Sequence, residues 1–330
     1  MPREDAGADA QQRCARRRGR GEAPPGVPRL PSGLLNRGTS WGRLRPQPDW
    51  PLSVSRATAL GLVHGPAELL PISSSAHVTL IPWLLGWDLD RLAPDLRKSF
   101  EVALHAGTAA ALAIAARQEL IAILSRPHRR RWLELLALAT APPALAGYVL
   151  ERPIEARLGT PPTIAIGLLL GSASLAIADL RPQERTIDDA GAGDALWLGL
   201  AQASALMPGV SRGGATLTAA RLRRFMRASA SRLSRQVALP VIAGATTLKT
   251  LRLARRGLPP GAVLPFATGA GASFASTLVS TWLIDEPERD RSLLPFALYR
   301  SLLALATLRK LRTEGPRGRS TRLSAANLLS

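Results

Sequence analysis

The chain is poor in cysteine, lysine and aromatic residues: it has one cysteine, three lysines among 43 basic residues, and 4% aromatic side chains over 330 residues. Because Cys14 is the only thiol, an intramolecular disulfide and a cysteine-based metal site are excluded. Arginine therefore carries most of the net charge of +19, a charge that often indicates nucleic-acid binding. Residues 1–50 hold ten arginines and five acids, and residues 309–330 hold six basic residues and one acid, so ten of the 19 net charges lie at the two ends. A general preference for arginine explains this charge, and no nucleic-acid partner is expected.

Charged residues are sparse in the central part of the chain, where long apolar runs follow one another between about residues 51 and 308. Each run is near the ~17–25 residues that an α-helix needs to cross a bilayer. The mean hydropathy of +0.06 is low for a membrane protein because the average includes the two polar ends. We predict an all-α integral membrane protein, a polytopic helical bundle. Its clearest apolar runs are Val102–Ala116, Leu133–Leu150, Thr163–Ala178, Gly261–Ile284 and Leu293–Leu308.

The two ends of the chain have a different composition from the centre. Residues 1–50 are rich in Arg and Pro and lack the apolar run of a signal peptide, and residues 309–330 are basic. Neither end can bury apolar surface, so both are predicted to be disordered tails. The predicted organisation is a tail at 1–50, a membrane domain at 51–308 and a C-terminal tail at 309–330.

Arginine-rich breaks between the apolar runs predict the orientation in the membrane, because short cytoplasmic loops carry an excess of Lys and Arg. The densest breaks are Arg126–Arg131, Arg221–Arg235 and Arg252–Arg256. We expect Arg126–Arg131 and the C-terminal tail to lie in the cytoplasm. The acidic break Asp285–Asp290 is then expected to lie outside.

Two apolar segments are short and interrupted by Pro or Gly. Leu52–Val63 runs into Pro66, and Ala195–Met207 runs into Pro208–Gly214. Such a pair in corresponding positions of two halves indicates an inverted-topology repeat with two re-entrant or broken helical segments. Non-helical backbone at membrane depth is tolerated where it lines a protein cavity, so the two breaks are expected to face one another across one site. The two repeats would span roughly residues 51–150 and 160–308.

The first break contains GPAELLPISSSAH (residues 65–77), which places a carboxylate, three hydroxyls and an imidazole among apolar residues. Glu68 lies four residues after His64, so their side chains share a helical face. Ser73 and Ser74 stand at a predicted helix start, where hydroxyls cap N–H groups and an anion is favoured, and His77 follows one turn later. Capping serines and a neutral, hydrogen-bonded Glu68 would also account for this pattern. Ionisable groups inside a membrane are costly, however, and indicate function.

The second break, PGVSRGGAT (residues 208–216), predicts a cradle for a phosphate group. Glycines allow close approach of the backbone, hydroxyls donate hydrogen bonds, and Arg212 offers a planar, permanently charged fork of donors. The alternative is a glycine-rich turn whose arginine extends to the membrane interface. The other residues predicted to bind the phosphate are Gly209, Ser211, Gly213, Gly214 and Thr216, together with Ser73 of the first break.

A third polar pair, Glu101 and His105 in KSFEVALHAG (residues 98–107), is also spaced by four. It either extends the site or forms a hydrogen bond along one helix face, and the sequence leaves both open. A carboxylate, an imidazole, hydroxyls and an arginine in apolar surroundings suit an amphiphile with an anionic head and an apolar tail. A lipid phosphate is the predicted ligand.

Four motifs together resemble a known family: GPAELLPISSSAH, KSFEVALHAG, GLAQASALMPGVSRGGAT and FALYR, in this order over roughly residues 52–308. They are similar to those of the integral-membrane undecaprenyl-pyrophosphate phosphatases of the bacitracin-resistance type. The resemblance implies an inverted-repeat helical fold in the bacterial plasma (inner) membrane, with several membrane passes and an active site that opens to the outer face. It implies an undecaprenyl-diphosphate phosphatase, an enzyme that releases phosphate from this lipid to regenerate the carrier for cell-wall glycan synthesis.

The resemblance also implies roles for individual residues. Arg212 would hold the terminal phosphate, and the nucleophile is left open between Ser74, His77 and a water. His77 and Glu68 would share proton transfer or hold a divalent cation, implied to be Mg²⁺ or Ca²⁺. The implied metal ligands are His64 and Glu68, and the implied catalytic residues are Glu68, Ser74, His77 and Arg212.

The chain departs from the family pattern at two positions: the family usually has Glu or Gln in place of His64, and a serine in place of Gly213. An imidazole at residue 64 keeps a metal ligand or proton carrier but removes a negative charge. This departure is the basis of the alternative function, a lipid-phosphate transporter or binding protein of the same fold with weakened or lost catalysis. The expected partners are the polyprenyl pyrophosphate lipid and the bilayer, with a homodimer as a further hypothesis.

Overall fold

The computed structural model describes residues 52–87, 89–125, 129–283 and 291–314. These residues contain eleven α-helices and no named β-strand, with an isolated β-bridge between Arg185 and Phe225. The predicted all-α class is confirmed for this part of the chain. In chain order the helices are α1 (Val54–Leu69), α2 (Ser74–Leu85), α3 (Pro94–Ala115), α4 (Arg117–Leu124), α5 (Arg129–Leu158), α6 (Pro161–Asp179), α7 (Ala192–Ser204), α8 (Arg212–Leu222), α9 (Arg227–Arg256), α10 (Val263–Leu283) and α11 (Leu294–Glu314).

Helices α1 and α2 flank the first predicted break. Helix α1 continues through Pro66 and ends at Leu69, so Glu68 stands in its last turn. Ser73 then precedes α2 with a φ of 74°, and its Oγ accepts a hydrogen bond from the N–H of Ala76 at 3.4 Å. A positive φ is uncommon for a residue other than glycine and persists where the surrounding structure enforces it. The break is therefore a sharp, fixed turn rather than a loose loop.

Helices α7 and α8 flank the second break, which spans residues 205–211. Ser211 caps α8, and its Oγ accepts from the N–H of Gly214 at 3.1 Å. Gly209 has a φ of 92°, a conformation that favours glycine. A Cβ atom at this residue would also lie 2.3 Å from the carbonyl oxygen of Ile164 in α6. Both the backbone angle and the contact with α6 therefore require glycine here.

The helices of the two halves pack against one another in a reciprocal way. Helix α10 packs against α1 and α3, whereas α5 packs against α7 and α9; α6 contacts both α8 and α11. Glycines allow the closest approach to α10: a Cβ at Gly65 would lie 2.2 Å from Ser276 Oγ, and one at Gly107 would lie 2.1 Å from the carbonyl oxygen of Ala270. Small residues of this kind let helix backbones come close in membrane bundles.

The described residues include four helical segments that are long and apolar enough to cross a membrane. Large apolar side chains remain exposed on their surfaces: Leu145 is 67% and Trp282 is 78% exposed. Apolar surface of this kind indicates contact with a membrane or a partner. The chain is therefore a multi-pass membrane protein. The four segments are Arg129–Leu150, Pro161–Asp179, Arg227–Arg256 and Pro260–Leu283.

The last helix is longer than the sequence predicted. A tail was expected from residue 309, but α11 continues to Glu314. Lys310 gives the reason, since its Nζ donates to the carbonyl of Leu84 at 3.2 Å and lies 4.8 Å from the centre of the Trp83 ring. This contact with the end of α2 holds the additional turn of α11 in place.

The predicted arginine-rich break Arg221–Arg235 lies largely within two helices. Helix α8 ends at Leu222, and α9 begins at Arg227. Arg221 is fully buried, and its guanidinium donates to the carbonyls of Asp179, at 3.3 Å, and Phe225. Arg227 Nε donates to Asp179 Oδ1 at 2.7 Å. Because Arg221 is held by backbone carbonyls and Arg227 by the Asp179 carboxylate, neither guanidinium requires a solvated loop. The predicted break Arg252–Arg256 is likewise helical, whereas residues 1–50, 126–128 and 285–290 lie outside the described residues.

Candidate active site

The two breaks meet where Glu68 contacts Arg212. Glu68 Oε1 accepts a hydrogen bond from Arg212 Nη2, and Glu68 Oε2 accepts one from Ser74 Oγ at 2.5 Å. The side chain of Glu68 is 7% exposed and that of Arg212 is 23% exposed. Because Arg212 is the first residue of α8 and Ser74 the first of α2, two helix N-termini converge on this carboxylate. Such a place favours an anion, since helix N-termini carry partial positive charge.

Two histidines lie on the other side of Glu68. His105 Nε2 lies 3.7 Å from Glu68 Oε2, and the rings of His64 and His105 meet edge to face with their centroids 4.5 Å apart. Of the pair that the sequence left open, His105 therefore lies at the site. Glu101 instead pairs with Lys98 at 3.2 Å, while its backbone carbonyl contacts His105 Nδ1 at 2.9 Å.

The three side chains at this point are compatible with a divalent cation. His64, Glu68 and His105 each offer one ligand atom, and these atoms lie within 4.8 Å of one another. His64 is fully buried, and its Nε2 has no hydrogen-bond partner among the described residues. An orphaned nitrogen of this kind is costly unless something binds it. The set contains the predicted ligands His64 and Glu68 and adds His105.

His77 lies three residues after Ser74 in α2 and has its own hydrogen-bond partners. Its Nδ1 lies 2.7 Å from the carbonyl oxygen of Ser73, and its Nε2 lies 2.7 Å from the hydroxyl of Tyr299. The two rings are stacked, with centroids 5.6 Å apart. Both ring nitrogens are thus engaged by groups other than Glu68 and Arg212. Tyr299 was present in the sequence analysis only as part of the FALYR motif.

Arg300, the last residue of that motif, ties the two breaks together. It is fully buried in α11, and its Nη1 and Nη2 donate to the carbonyls of Pro71 and Gly209, each at 3.2 Å. A Cβ atom at Gly214 would lie 2.7 Å from Nη1. Arg300 therefore fixes the position of one break relative to the other, and sequence reasoning did not single it out. The available signal was a charged residue within an apolar helix.

The other residues predicted to bind phosphate divide into two groups. Gly213 lines the cavity beside Arg212, and a Cβ there would have Ser211 Oγ as its nearest neighbour, at 3.9 Å. Thr216 Oγ1, by contrast, lies 3.0 Å from the carbonyl of Arg212 and 2.5 Å from Ser234 Oγ. Ser73 and Ser211 use their hydroxyls as helix caps, and Gly209 and Gly214 make room for α6 and Arg300. These four residues and Thr216 shape the two breaks, with their polar groups engaged by the protein.

A cavity of about 600 Å³ opens beside Glu68 and Arg212. Its wall is formed by both polar and apolar side chains. An anionic head and an apolar tail would each find side chains of their own kind there. The polar lining comes from Arg232, Ser234, Arg235, Gln236 and Glu119, and the apolar lining includes Leu112, Leu239, Ile242 and Trp282. The arginines of α9 had been interpreted only as markers of orientation, because no motif connects them with the two breaks.

Comparison with known proteins identifies the family of the chain. The family model of bacitracin resistance protein BacA matches residues 57–306. An undecaprenyl-diphosphatase of Geobacter metallireducens is 39% identical over 266 residues, which covers 76% of this chain and 96% of that protein. Undecaprenyl-diphosphatases of Geobacter sulfurreducens and Trichlorobacter lovleyi are 38% and 37% identical, covering 78% and 76% of this chain and 98% and 94% of theirs. The chain therefore belongs to the family of bacitracin resistance protein BacA.

Proposed function

We propose that this protein is a membrane hydrolase that releases phosphate from undecaprenyl or a related polyprenyl pyrophosphate. The product is the carrier lipid monophosphate needed for cell-wall glycan synthesis, and faster regeneration of this carrier confers bacitracin resistance. The observation that supports this function most directly is the convergence of Glu68, Ser74 and Arg212 at the two helix breaks, beside a cavity lined by both polar and apolar side chains. The names of the relatives support the same substrate and reaction.

Arg212 binds the terminal phosphate of the substrate. In the structure its guanidinium donates to Glu68 Oε1, a carboxylate oxygen, and a phosphate oxygen can accept from the same donor. A phosphate group with two or more negative charges competes well for this arginine, because the planar guanidinium forms paired, charge-assisted hydrogen bonds. Arg212 then leaves Glu68 for the substrate, and the carboxylate is released to act as a base.

Ser74 is the nucleophile that this arrangement supports best. Its Oγ–H donates to Glu68 Oε2 at 2.5 Å, so the carboxylate is in place to take the proton. As the Oγ–P bond forms, the bond from the terminal phosphorus to the bridging oxygen breaks, and the lipid monophosphate leaves with the bonding electron pair. Arg212 and the N-termini of α2 and α8 stabilise the developing charge. Water then hydrolyses the phosphoserine and releases inorganic phosphate.

His77 has a supporting place in this scheme. Its two ring nitrogens contact the Ser73 carbonyl and the Tyr299 hydroxyl, so it anchors the first turn of α2 to α11. Tyr299 precedes Arg300 in the chain, and Arg300 donates hydrogen bonds to both breaks. His77 therefore positions Ser74, and a direct attack by its imidazole would require it to give up one of these contacts.

We further propose that the membrane domain is built from two inverted repeats, roughly residues 51–150 and 160–308, with the two breaks as re-entrant segments. Supporting this, each half contains a helix–break–helix unit, and each of these units packs against a long helix of the other half: α1 against α10, and α7 against α5. In the bacterial plasma membrane the site would open to the outer face, with Arg126–Arg131 in the cytoplasm. The homodimer remains a prediction.

The resemblance implied Mg²⁺ or Ca²⁺ at His64 and Glu68, but the donor chemistry of the site does not fit these ions. Magnesium and calcium take oxygen ligands almost exclusively. Two of the three ligand atoms at the site are imidazole nitrogens, from His64 and His105. The proposed reaction steps therefore use Glu68, Ser74 and Arg212 and do not pass through a hard cation.

The alternative, a lipid-phosphate transporter or binding protein, is favoured by the buried ion pair between Glu68 and Arg212, which would also suit reversible capture of a head group. A measurement on the full-length protein in detergent separates the two functions. With a polyprenyl pyrophosphate as substrate, we expect inorganic phosphate and lipid monophosphate in equal amounts, and Glu68→Gln should abolish both. Saturable binding of the lipid with no phosphate released would establish the transporter or binding protein instead.

A further inference from the structure

The hydrogen bonds of His105 fix which of its nitrogens carries the proton. Nδ1 lies 2.9 Å from the carbonyl oxygen of Glu101. A carbonyl oxygen is an acceptor, so Nδ1 donates this hydrogen bond and the ring orientation is fixed. Nε2 is the nitrogen directed at Glu68, and it lies 3.7 Å from Oε2. This separation is too long for a hydrogen bond and leaves room for an ion between the two atoms.

The network behind His64 assigns it the same form. Ser273 Oγ donates to the carbonyl of Leu104 at 2.9 Å, and Thr108 Oγ1 and Ser273 Oγ lie 2.6 Å apart. Because the Ser273 hydrogen is used, Thr108 donates to Ser273, and His64 Nδ1 donates to Thr108 Oγ1 at 2.9 Å. This arrangement gives each contact a donor. His64 Nε2 is then a buried lone pair without a hydrogen-bond partner among the described residues.

Two imidazoles and one carboxylate therefore come together at one point. One ligand atom of each side chain lies within 4.8 Å of the other two, and His64 is fully buried. Ligand atoms brought together in this way are stabilised by a cation at their centre. Both imidazoles also have the feature that supports metal ligation, since their other nitrogens are held by hydrogen bonds that fix the ring.

We propose that His64 Nε2, His105 Nε2 and Glu68 Oε2 form a site for a first-row transition metal ion such as Zn²⁺ or Co²⁺, in place of the Mg²⁺ or Ca²⁺ implied by the resemblance. Imidazole nitrogen is a ligand of borderline softness that suits Zn²⁺, Co²⁺ and related ions. Two imidazoles and one carboxylate also leave coordination positions open for water or an oxygen of the substrate. The inference concerns the same site as the proposed function, but it requires neither turnover nor substrate for its test.

The test uses Co²⁺ as a coloured probe for the full-length protein, purified without a histidine tag and carrying Cys14→Ser so that no thiolate contributes. We expect one Co²⁺ per chain, with visible d–d absorption of imidazole ligation, and displacement of Co²⁺ by Zn²⁺. An excess of Mg²⁺ or Ca²⁺ should leave the spectrum unchanged. Displacement of Co²⁺ by Mg²⁺ at comparable concentration, or no stoichiometric binding of Co²⁺, would overturn the proposal.

Three variants show which side chains bind the Co²⁺ ion. His64→Gln and His105→Gln should each weaken Co²⁺ binding on the order of 100-fold. Loss of a residue that merely orients a ligand weakens metal binding by up to about this factor, so loss of a ligand should weaken it at least as much. His77→Gln is the matched control: His77 is buried in the same region but contacts Ser73 and Tyr299, so Co²⁺ affinity should be retained. If His77→Gln weakens binding as much as the other two, the ion is bound elsewhere. Co²⁺ binding without phosphate release would contradict the proposed function and leave this inference standing.

Discussion

The guanidinium of Arg300 lies directly against the backbone of Gly171, and a Cβ atom at residue 171 would come 1.8 Å from Nη2. The same Nη2 donates to the carbonyl of Gly209 in the second break, while Nη1 donates to that of Pro71 in the first. Since Arg300 is fully buried, its side chain cannot move aside without losing one of these bonds. The geometry of the site at Glu68 and Arg212 thus depends on a glycine in α6 that contacts neither residue.

Gly171→Ala should therefore lower turnover by roughly 100-fold, the effect of displacing reacting groups by about 1 Å. It should also destabilise the protein, although alanine is favoured over glycine in a helix by about 0.5–1 kcal/mol. Phosphate release and thermal unfolding in detergent measure the two effects. Gly244→Ala is the matched control, because a Cβ at Gly244 in α9 has no neighbour within 4 Å and activity should be retained. Equal behaviour of the two variants would show that Arg300 does not position the breaks.

Arg212→Lys should lower kcat on the order of 100-fold or more, comparable with the loss of a donor that stabilises transition-state charge. A lysine ammonium keeps the charge but cannot form the paired contact of a guanidinium with phosphate. Steady-state phosphate release is the measurement. Arg130→Lys serves as the control, since Arg130 pairs with Glu134 on the surface, with side chains 93% and 62% exposed. Near-normal turnover of Arg212→Lys would mean that Arg212 does not hold the terminal phosphate.

Ser74→Ala should abolish phosphate release, because no other hydroxyl in the described structure donates to Glu68. Rapid quenching of wild-type protein during turnover, followed by peptide mass spectrometry, should detect a phosphoryl group on Ser74. The exposed Ser55→Ala, far along α1, provides a comparison that should keep full activity. Residual turnover of Ser74→Ala with no adduct in wild type would identify water or His77 as the nucleophile.

His64→Glu restores a carboxylate four residues before Glu68 and replaces one of the two imidazoles. Two neighbouring carboxylates repel without a cation and bind a hard divalent cation well. We expect this variant to keep or raise phosphatase activity with Mg²⁺ or Ca²⁺, and to depend on their concentration more steeply than wild type. Titration of turnover against each ion tests the prediction. A folded variant that is inactive at saturating Mg²⁺ and Ca²⁺ would show that activity requires the His64 imidazole and that a second carboxylate with a hard cation does not replace it.

The orientation in the membrane predicts the same labelling for two introduced cysteines. In a Cys14→Ser background, Ser125→Cys borders the arginine-rich segment and should be protected from an impermeant thiol reagent added to intact cells. Glu288→Cys should be protected as well, because the four candidate spans between the two positions return the chain to the same side, which corrects the outside position expected from the acidic sequence. Permeabilised cells should label at both positions. Labelling of Ser125→Cys in intact cells would reverse the proposed topology.

The sequence by itself determined the features that depend on local chemistry. Apolar runs between charged breaks defined the all-α class, and Pro and Gly marked the two interrupted segments, because these residues limit the backbone wherever they stand. It also predicted Glu68, Ser74 and Arg212 as site residues, since an ionisable or hydroxyl side chain in an apolar helix is recognisable without its partner, and the structure brings the three into contact. The last turn of α11 was missed, because Lys310 is polar in sequence and is held there by Trp83 and Leu84 of another helix.

The sequence predicted that the two breaks face one another, but the tertiary structure decided which of their polar groups are in contact. Glu68 and Arg212 are 144 residues apart, and no spacing rule pairs these two side chains. Packing turned His105 towards Glu68 and left Glu101 paired with Lys98. The sequence could not distinguish these outcomes, because Glu101 and His105 lie four residues apart on the same face of one helix. Packing also turned Thr216 towards Ser234 and placed Arg300 between the two breaks. The physical reason is that hydrogen bonds and ion pairs depend on distance and direction to within a fraction of an ångström, and in a bundle these are set by how distant helices pack.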